Sequence, residues 1–100
     1  MGAMNLTKTQ AILNLDAMPA TPELTAAVVK LITRTMKSIS SHARSGGTVN
    51  SARSFELRDT FAVCSDYLVK NDRAKYLEVT GMTPEQFERY GSLDSTDLYA

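Results

Sequence analysis

The chain of 100 residues carries equal numbers of acidic and basic side chains and an ordinary apolar fraction of 43%, which predicts one small folded domain over residues 1–100. Its net charge of zero does not identify a partner, and its few glycines and prolines and lack of tryptophan argue against a sandwich of short strands. A single cysteine excludes an internal disulfide and a cysteine-rich zinc site within the chain.

The N-terminal segment predicts a short helix that lies on the core as a flap. Residues 1–3 (Met-Gly-Ala) are interpreted as a cloning remnant, and Met4 as the native start. Thr7 and Gln10 then form a capping-box pattern, in which each side chain bonds the backbone of the other residue. This pattern predicts a helix over about residues 8–15.

The first long helix is predicted over about residues 22–44. Thr21 can cap its free amides, and Pro22 suits the first helical position because its ring presets the backbone angle. Apolar residues then recur at helical spacing on one face. Gly46 or Gly47 is expected to supply a left-handed stop.

The second long helix is predicted over about residues 51–70, with Asn50 or Ser51 as its cap. Its two neighbouring apolar lines run through Leu57, Phe61, Cys64 and Leu68, and through Phe55, Ala62 and Val69. Two adjacent apolar lines need at least two packing partners. We therefore expect this helix to be the centre of the domain.

The C-terminal part predicts two further short helical segments. The apolar register drifts at Asn71 and Asp72, which indicates a kink or a fresh helix start. Thr83 and Gln86 repeat the capping-box pattern, so a short helix is expected to run through Tyr90.

The predicted fold is all-α, a long antiparallel helical hairpin of about residues 22–44 and 51–70 with short flanking helices. Residues 1–6 and 92–100 are expected to fray. The second apolar line leaves surplus apolar surface, which either the end helices cover or a homodimer buries in a four-helix arrangement. No apolar run approaches a membrane span and no signal-peptide pattern is present, so a cytoplasmic protein without membrane contact is expected.

Basic residues collect in a segment that holds no acid, from Leu24 to Phe55. They are Lys30, Arg34, Lys37, Arg44 and Arg53. The first four share one stripe of the first long helix, where like charges cost a few tenths of a kcal/mol per pair. Three interpretations compete: a solvated face that meets acids of a neighbouring helix or subunit, a surface that follows nucleic-acid phosphates, and a docking stripe for an acidic protein.

Residues of catalytic type are few and scattered. His42 is interpreted as a residue that interacts with the C-terminal end of a helix dipole, and Cys64 as a small buried hydrophobe. The loop around Gly46 and Gly47 lacks the lysine and the spacing of a phosphate-binding loop, so it is interpreted as a connector. We expect neither enzymatic activity nor a cofactor or metal.

These patterns predict a small non-enzymatic binding protein, an adaptor, inhibitor or regulator that acts through protein–protein contacts. The expected partner is another protein of acidic character, with homodimerisation as a further option. The alternative is a nucleic-acid-binding regulator that uses the basic stripe of the first long helix.

Overall fold

The computed structural model describes residues 6–47 and 51–92, which form five α-helices and a short 3-10 turn without strands. The helices are α1 (Lys8–Asn14, followed by the turn Leu15–Ala17), α2 (Pro22–Arg44), α3 (Ala52–Asn71), α4 (Arg73–Thr80) and α5 (Pro84–Tyr90). The all-α class is therefore confirmed. Expectations for residues 1–5, 48–50 and 93–100 lie outside the described residues.

The helix starts follow their predicted caps. In α1 the Gln10 amide donates to Thr7 Oγ1 at 3.2 Å, while Gln10 Oε1 accepts from the Thr7 amide at 3.0 Å. The same reciprocal pair joins Thr83 and Gln86 at the start of α5. Ser51 caps α3 by accepting from the Ser54 amide at 3.1 Å. Helices α1, α3 and α5 begin after these residues because each cap satisfies backbone donors that the helix leaves unpaired.

The two long helices pack side by side in opposite directions. Near the start of α2, the Thr25 hydroxyl shares a hydrogen bond of 2.9 Å with the Tyr67 hydroxyl near the end of α3. At the other end, His42 of α2 lies 3.5 Å from the Ser51 hydroxyl at the cap of α3. These two contacts, one at each end, show that α2 and α3 are antiparallel.

Helix α3 lies at the centre, because α1, α2 and α4 all pack against it. Its first predicted apolar line is buried as expected, with Leu57, Phe61, Cys64 and Leu68 at most 3% exposed. Leu6, which precedes α1, also joins this core at 5% exposure.

The second predicted apolar line of α3 does not form a buried face. Phe55 is 50% exposed, Ala62 is exposed and Val69 is half-buried. Hydroxyl residues occupy the additional buried positions instead: Ser54, Thr60 and Ser65, together with Tyr67. Thr60 Oγ1 donates to the backbone oxygen of Glu56 at 2.9 Å, which satisfies its hydroxyl inside the core.

A break at Asp72 turns the chain into α4, as the drift in apolar register predicts. Asp72 accepts from the Lys75 amide at 3.3 Å and so caps the new helix. Helix α4 buries Tyr76 completely, and the Phe87 ring of α5 meets the Tyr76 ring edge-on at a centroid distance of 5.9 Å. The Arg73 guanidinium lies 4.7 Å from the Phe87 ring centroid.

The two loop glycines that follow α2 have different roles. Gly46 has a φ of +83°, so it supplies the left-handed stop expected of Gly46 or Gly47. Gly47 instead makes room for a side chain, because a Cβ there would overlap the His42 ring. The Gly47 amide also donates to the His42 backbone oxygen at 2.8 Å. His42 therefore packs into the loop that follows its own helix.

Replacing Gly47 with alanine should destabilise the protein by about 1 kcal/mol, because the added methyl group displaces the His42 ring. Urea unfolding of G47A, H42A and the double variant measures this effect. The cost of G47A should fall close to zero in the H42A background, where the overlapping ring is absent. An equal cost in both backgrounds would show that the ring contact is not its cause.

Replacing Ser65 with alanine should stabilise the protein by about 1 kcal/mol, since the buried Ser65 hydroxyl has no hydrogen-bond partner among the described residues. In thermal unfolding this corresponds to a rise of about 4–8 °C in Tm. Exposed Ser41 of α2 provides the control, because S41A makes the same change in helix propensity without removing a buried hydroxyl. Equal effects of S65A and S41A would contradict the explanation.

Candidate binding surface

The basic residues predicted from the sequence all lie on the exterior. We call Lys30, Arg34, Lys37, Arg44 and Arg53 the basic surface; each of them is exposed. The first four lie on α2, on the side opposite its buried residues, and Arg53 lies in the first turn of α3. The segment of α2 from Lys30 to Arg44 is about 21 Å long at 1.5 Å per residue.

The basic surface is largely unpaired within the described part of the chain. Arg53 forms an ion pair with Glu56, with 3.1 Å between Nη1 and Oε1. Over residues 6–47 and 51–92, no acid lies within ion-pair distance of Lys30, Lys37 or the two remaining arginines. Pairing with acids of a neighbouring helix therefore does not account for the stripe in this part of the chain. Like charges gathered without such pairing give this side of the molecule a positive potential.

Two of these arginines border a groove between α2 and α3. Arg34 and Arg53 line this groove, which has a volume of about 460 Å³. Its other lining residues are Leu6, Thr7, Leu31, Thr35, Ser38, Leu57 and Thr60. We call it the basic groove. Its leucines, Leu6, Leu31 and Leu57, are buried core residues that expose only a small apolar floor, and the two guanidinium groups border this floor.

The hydroxyl groups of the basic groove are mostly engaged with the backbone. Thr35 Oγ1 donates to the Leu31 oxygen at 2.7 Å, and Thr60 is bonded in the same way to its own helix. Their protons are therefore not available to a ligand. The charged donors are the two guanidinium groups, whose flat, forked shape matches a carboxylate or a phosphate; Arg53 already donates to Glu56 through Nη1.

Sequence reasoning found the basic residues but missed the groove. Lys30, Lys37 and Arg44 belong to the basic surface but do not line the groove. The groove needs Leu6 and Thr7, which precede α1 and reach this site only when α1 packs against the hairpin. No local pattern in the sequence encodes that placement.

The residues of catalytic type lie apart from the basic groove. His42 contacts Ser51 and the Gly47 backbone at the loop. None of these three residues lines the basic groove. Within residues 6–47 and 51–92, no three His, Cys, Asp or Glu side chains are placed to hold a metal ion. In the same residues, no helix combines the length and apolar character required to cross a membrane.

Comparisons with protein-family models, with curated proteins and with solved structures found no match to this chain.

Cys64 is completely buried in the core, as its place on the apolar line predicts. Burial raises the pKa of the Cys64 thiol from 9.0 to about 12, because the thiolate would lose its hydration. The thiol therefore stays protonated at neutral pH and packs as a small apolar group.

The raised pKa of Cys64 makes stability depend on pH. Between pH 9 and about 12 the unfolded chain loses the thiol proton while the folded chain keeps it, so the free energy of unfolding falls as the pH rises. The Cys64 contribution is expected to fall by about 1 kcal/mol between pH 9 and pH 10. Urea unfolding of the wild type and C64A over this interval isolates it, because other titrating groups are common to both. Identical pH slopes would contradict the assignment.

Proposed function

We propose that the protein acts by binding another protein, as an adaptor, inhibitor or regulator, and does not carry out chemistry. Its basic surface contacts an acidic segment of the partner, and the basic groove holds one apolar side chain of that segment between Arg34 and Arg53. The observation that carries this proposal is the pairing of two arginines with leucines in one groove.

The chemistry of the groove supports a carboxylate-bearing partner. Arginine forks bond carboxylates in a bidentate manner, and a partner side chain on the leucines would exclude water from those bonds. Binding sites typically combine an apolar centre with a polar rim, and truncating a central anchor side chain costs the most affinity. The basic surface outside the groove, chiefly Lys30 and Lys37, would then act through long-range attraction that speeds association.

Nucleic-acid binding is the second candidate, supported by the exposed basic residues of α2, which have no ion-pair partner in the described part of the chain. A phosphate backbone would use these cations for their charge, with little dependence on the leucines of the groove. No aromatic side chain belongs to the basic surface, which disfavours stacking on single-stranded bases.

The proposal extends to the oligomeric state and the cellular location of the protein. The exposed Phe55 and Ala62 on the outer face of α3 support homodimerisation through that face. A cytoplasmic location is the setting expected for a chain whose single cysteine is a reduced core residue.

A matched pair of double variants tests the proposed function. The probe is a fluorescein-labelled amphipathic peptide of glutamate and leucine, and its anisotropy is followed during titration with the protein. Replacing Arg34 and Arg53 with glutamine should weaken binding about tenfold, because both groove donors are lost. Replacing Lys30 and Lys37 with glutamine removes the same charge outside the groove and should weaken binding only about twofold.

A labelled DNA duplex, titrated at low and physiological salt, provides the comparison. If the DNA binds in a salt-dependent way, both double variants weaken it alike, and the peptide does not bind, the nucleic-acid function replaces the proposed one. Peptide binding that falls equally in both double variants would show that the groove is not the contact.

A further inference from the structure

A second groove lies on another part of the molecule, between the α1 segment and the C-terminal half of α3. It has a volume of about 340 Å³. We call it the acidic groove, after two carboxylates on its lining. The lining residues that matter here are Ile12, Asp16, Met18, Val63, Asp66 and Lys70. The two grooves share none of their lining residues.

The acidic groove offers an apolar wall that the fold leaves uncovered. Ile12 is 36% exposed although it follows the buried Ala11. Met18 and Val63 are half-buried and pack on the edge of the core. Methionine adapts its shape to different side chains, so this wall suits a flexible aliphatic group.

The polar rim of the acidic groove offers mainly acceptors. Asp16 and Asp66 are exposed carboxylates, and neither is within ion-pair distance of a cation among the side chains that the structure describes. The side-chain Nδ2 of Asn71 donates to the Tyr67 backbone oxygen at 2.9 Å, which leaves the side-chain Oδ1 of Asn71 as an acceptor. The Tyr67 hydroxyl is already bonded to α2. Lys70 is the single cation among the lining residues.

We propose that the acidic groove binds a segment of another protein in which a lysine or arginine neighbours an aliphatic side chain. The aliphatic side chain packs on Ile12, Met18 and Val63, and the cation lies between the carboxylates of Asp16 and Asp66. Charge complementarity selects this occupant, because the rim offers acceptors to a donor-rich group. The inference is independent of the proposed function, which uses the other groove.

A second copy of this chain fits the acidic groove less well through its basic surface. Apart from the basic residues, the exposed positions of α2 are Pro22, Glu23, Ala26 and Ser41. None of these has a large aliphatic side chain to fill the apolar wall. A separate protein that carries both groups on one segment meets the requirement.

Two pairs of variants test the inference, with a fluorescein-labelled amphipathic peptide of lysine and leucine as the probe. The wild type should bind this peptide, and D66N should weaken binding about threefold to fivefold. Asp59 is the matched control, since it is exposed on the same face of α3 two turns earlier and does not line the groove. D59N should leave the affinity unchanged.

The apolar wall has its own matched pair on α1. I12A should weaken binding about tenfold, because the peptide loses its aliphatic contact. Leu13 is 70% exposed beside it and does not line the groove, so L13A should have no effect. All four variants replace exposed side chains, and circular dichroism checks that each retains the helical content of the wild type.

Three results would overturn the inference. Equal weakening by D66N and D59N would indicate unspecific attraction between charges, and equal weakening by I12A and L13A would place the peptide elsewhere on α1. Sedimentation of the protein alone supplies the third, because self-association that I12A abolishes would make a second copy the occupant. The glutamate peptide distinguishes these failures from failure of the proposed function, since its binding depends on Arg34 and Arg53.

Discussion

The burial of α3 on more than one side is the constraint on which the rest of the structure depends. Phe61, Cys64 and Leu68 cannot be covered by α2 alone, so α1 and α4 pack on α3 as well. The chain supplies these helices from its two ends, each with its own cap. Small hydroxyl residues fill the additional buried positions of α3, where their side chains bond the backbone or occupy little volume. Packing, and not net hydrophobicity, therefore sets which face of α3 is inside.

Local features of the sequence predicted much of the fold. The capping boxes at Thr7 and Thr83, the break at Asp72 and the extent of α2 follow from short-range rules, because their hydrogen bonds connect residues that are close in the chain. The predicted burial of the line through Phe55 is wrong, because burial is not set by residues that are close in the chain. Whether an apolar residue is covered depends on where distant helices pack, and here hydroxyl residues took the buried positions. The basic residues were visible in the sequence, whereas neither groove was, because each is formed by segments far apart in the chain.

The charges of one sign gather on particular sides of the two long helices. Basic residues follow the outer side of α2, and exposed acids follow the outer side of α3 at Asp59 and Asp66. The four cations of α2, which have no ion-pair partner among the described residues, repel one another, and this costs the isolated helix a little stability. The burial of the opposite side of α2 is large enough to hold the helix despite that cost, since seven of its residues lie in the core. The basic surface can therefore be available for binding without unfolding α2.

Both grooves depend on the N-terminal segment that contains α1. Leu6 and Thr7 border one groove, and the stretch from Ala11 to Met18 borders the other. Detachment of this segment from the hairpin would abolish both grooves in a single event. Short helices held by few buried side chains open more readily than the rest of a domain. A ligand in either groove would keep the segment attached and so lower the free-energy cost of filling the other. Positive heterotropic cooperativity would then arise because both ligands shift the same equilibrium toward the attached segment, and its size would be limited by the fraction of molecules in which the segment is detached.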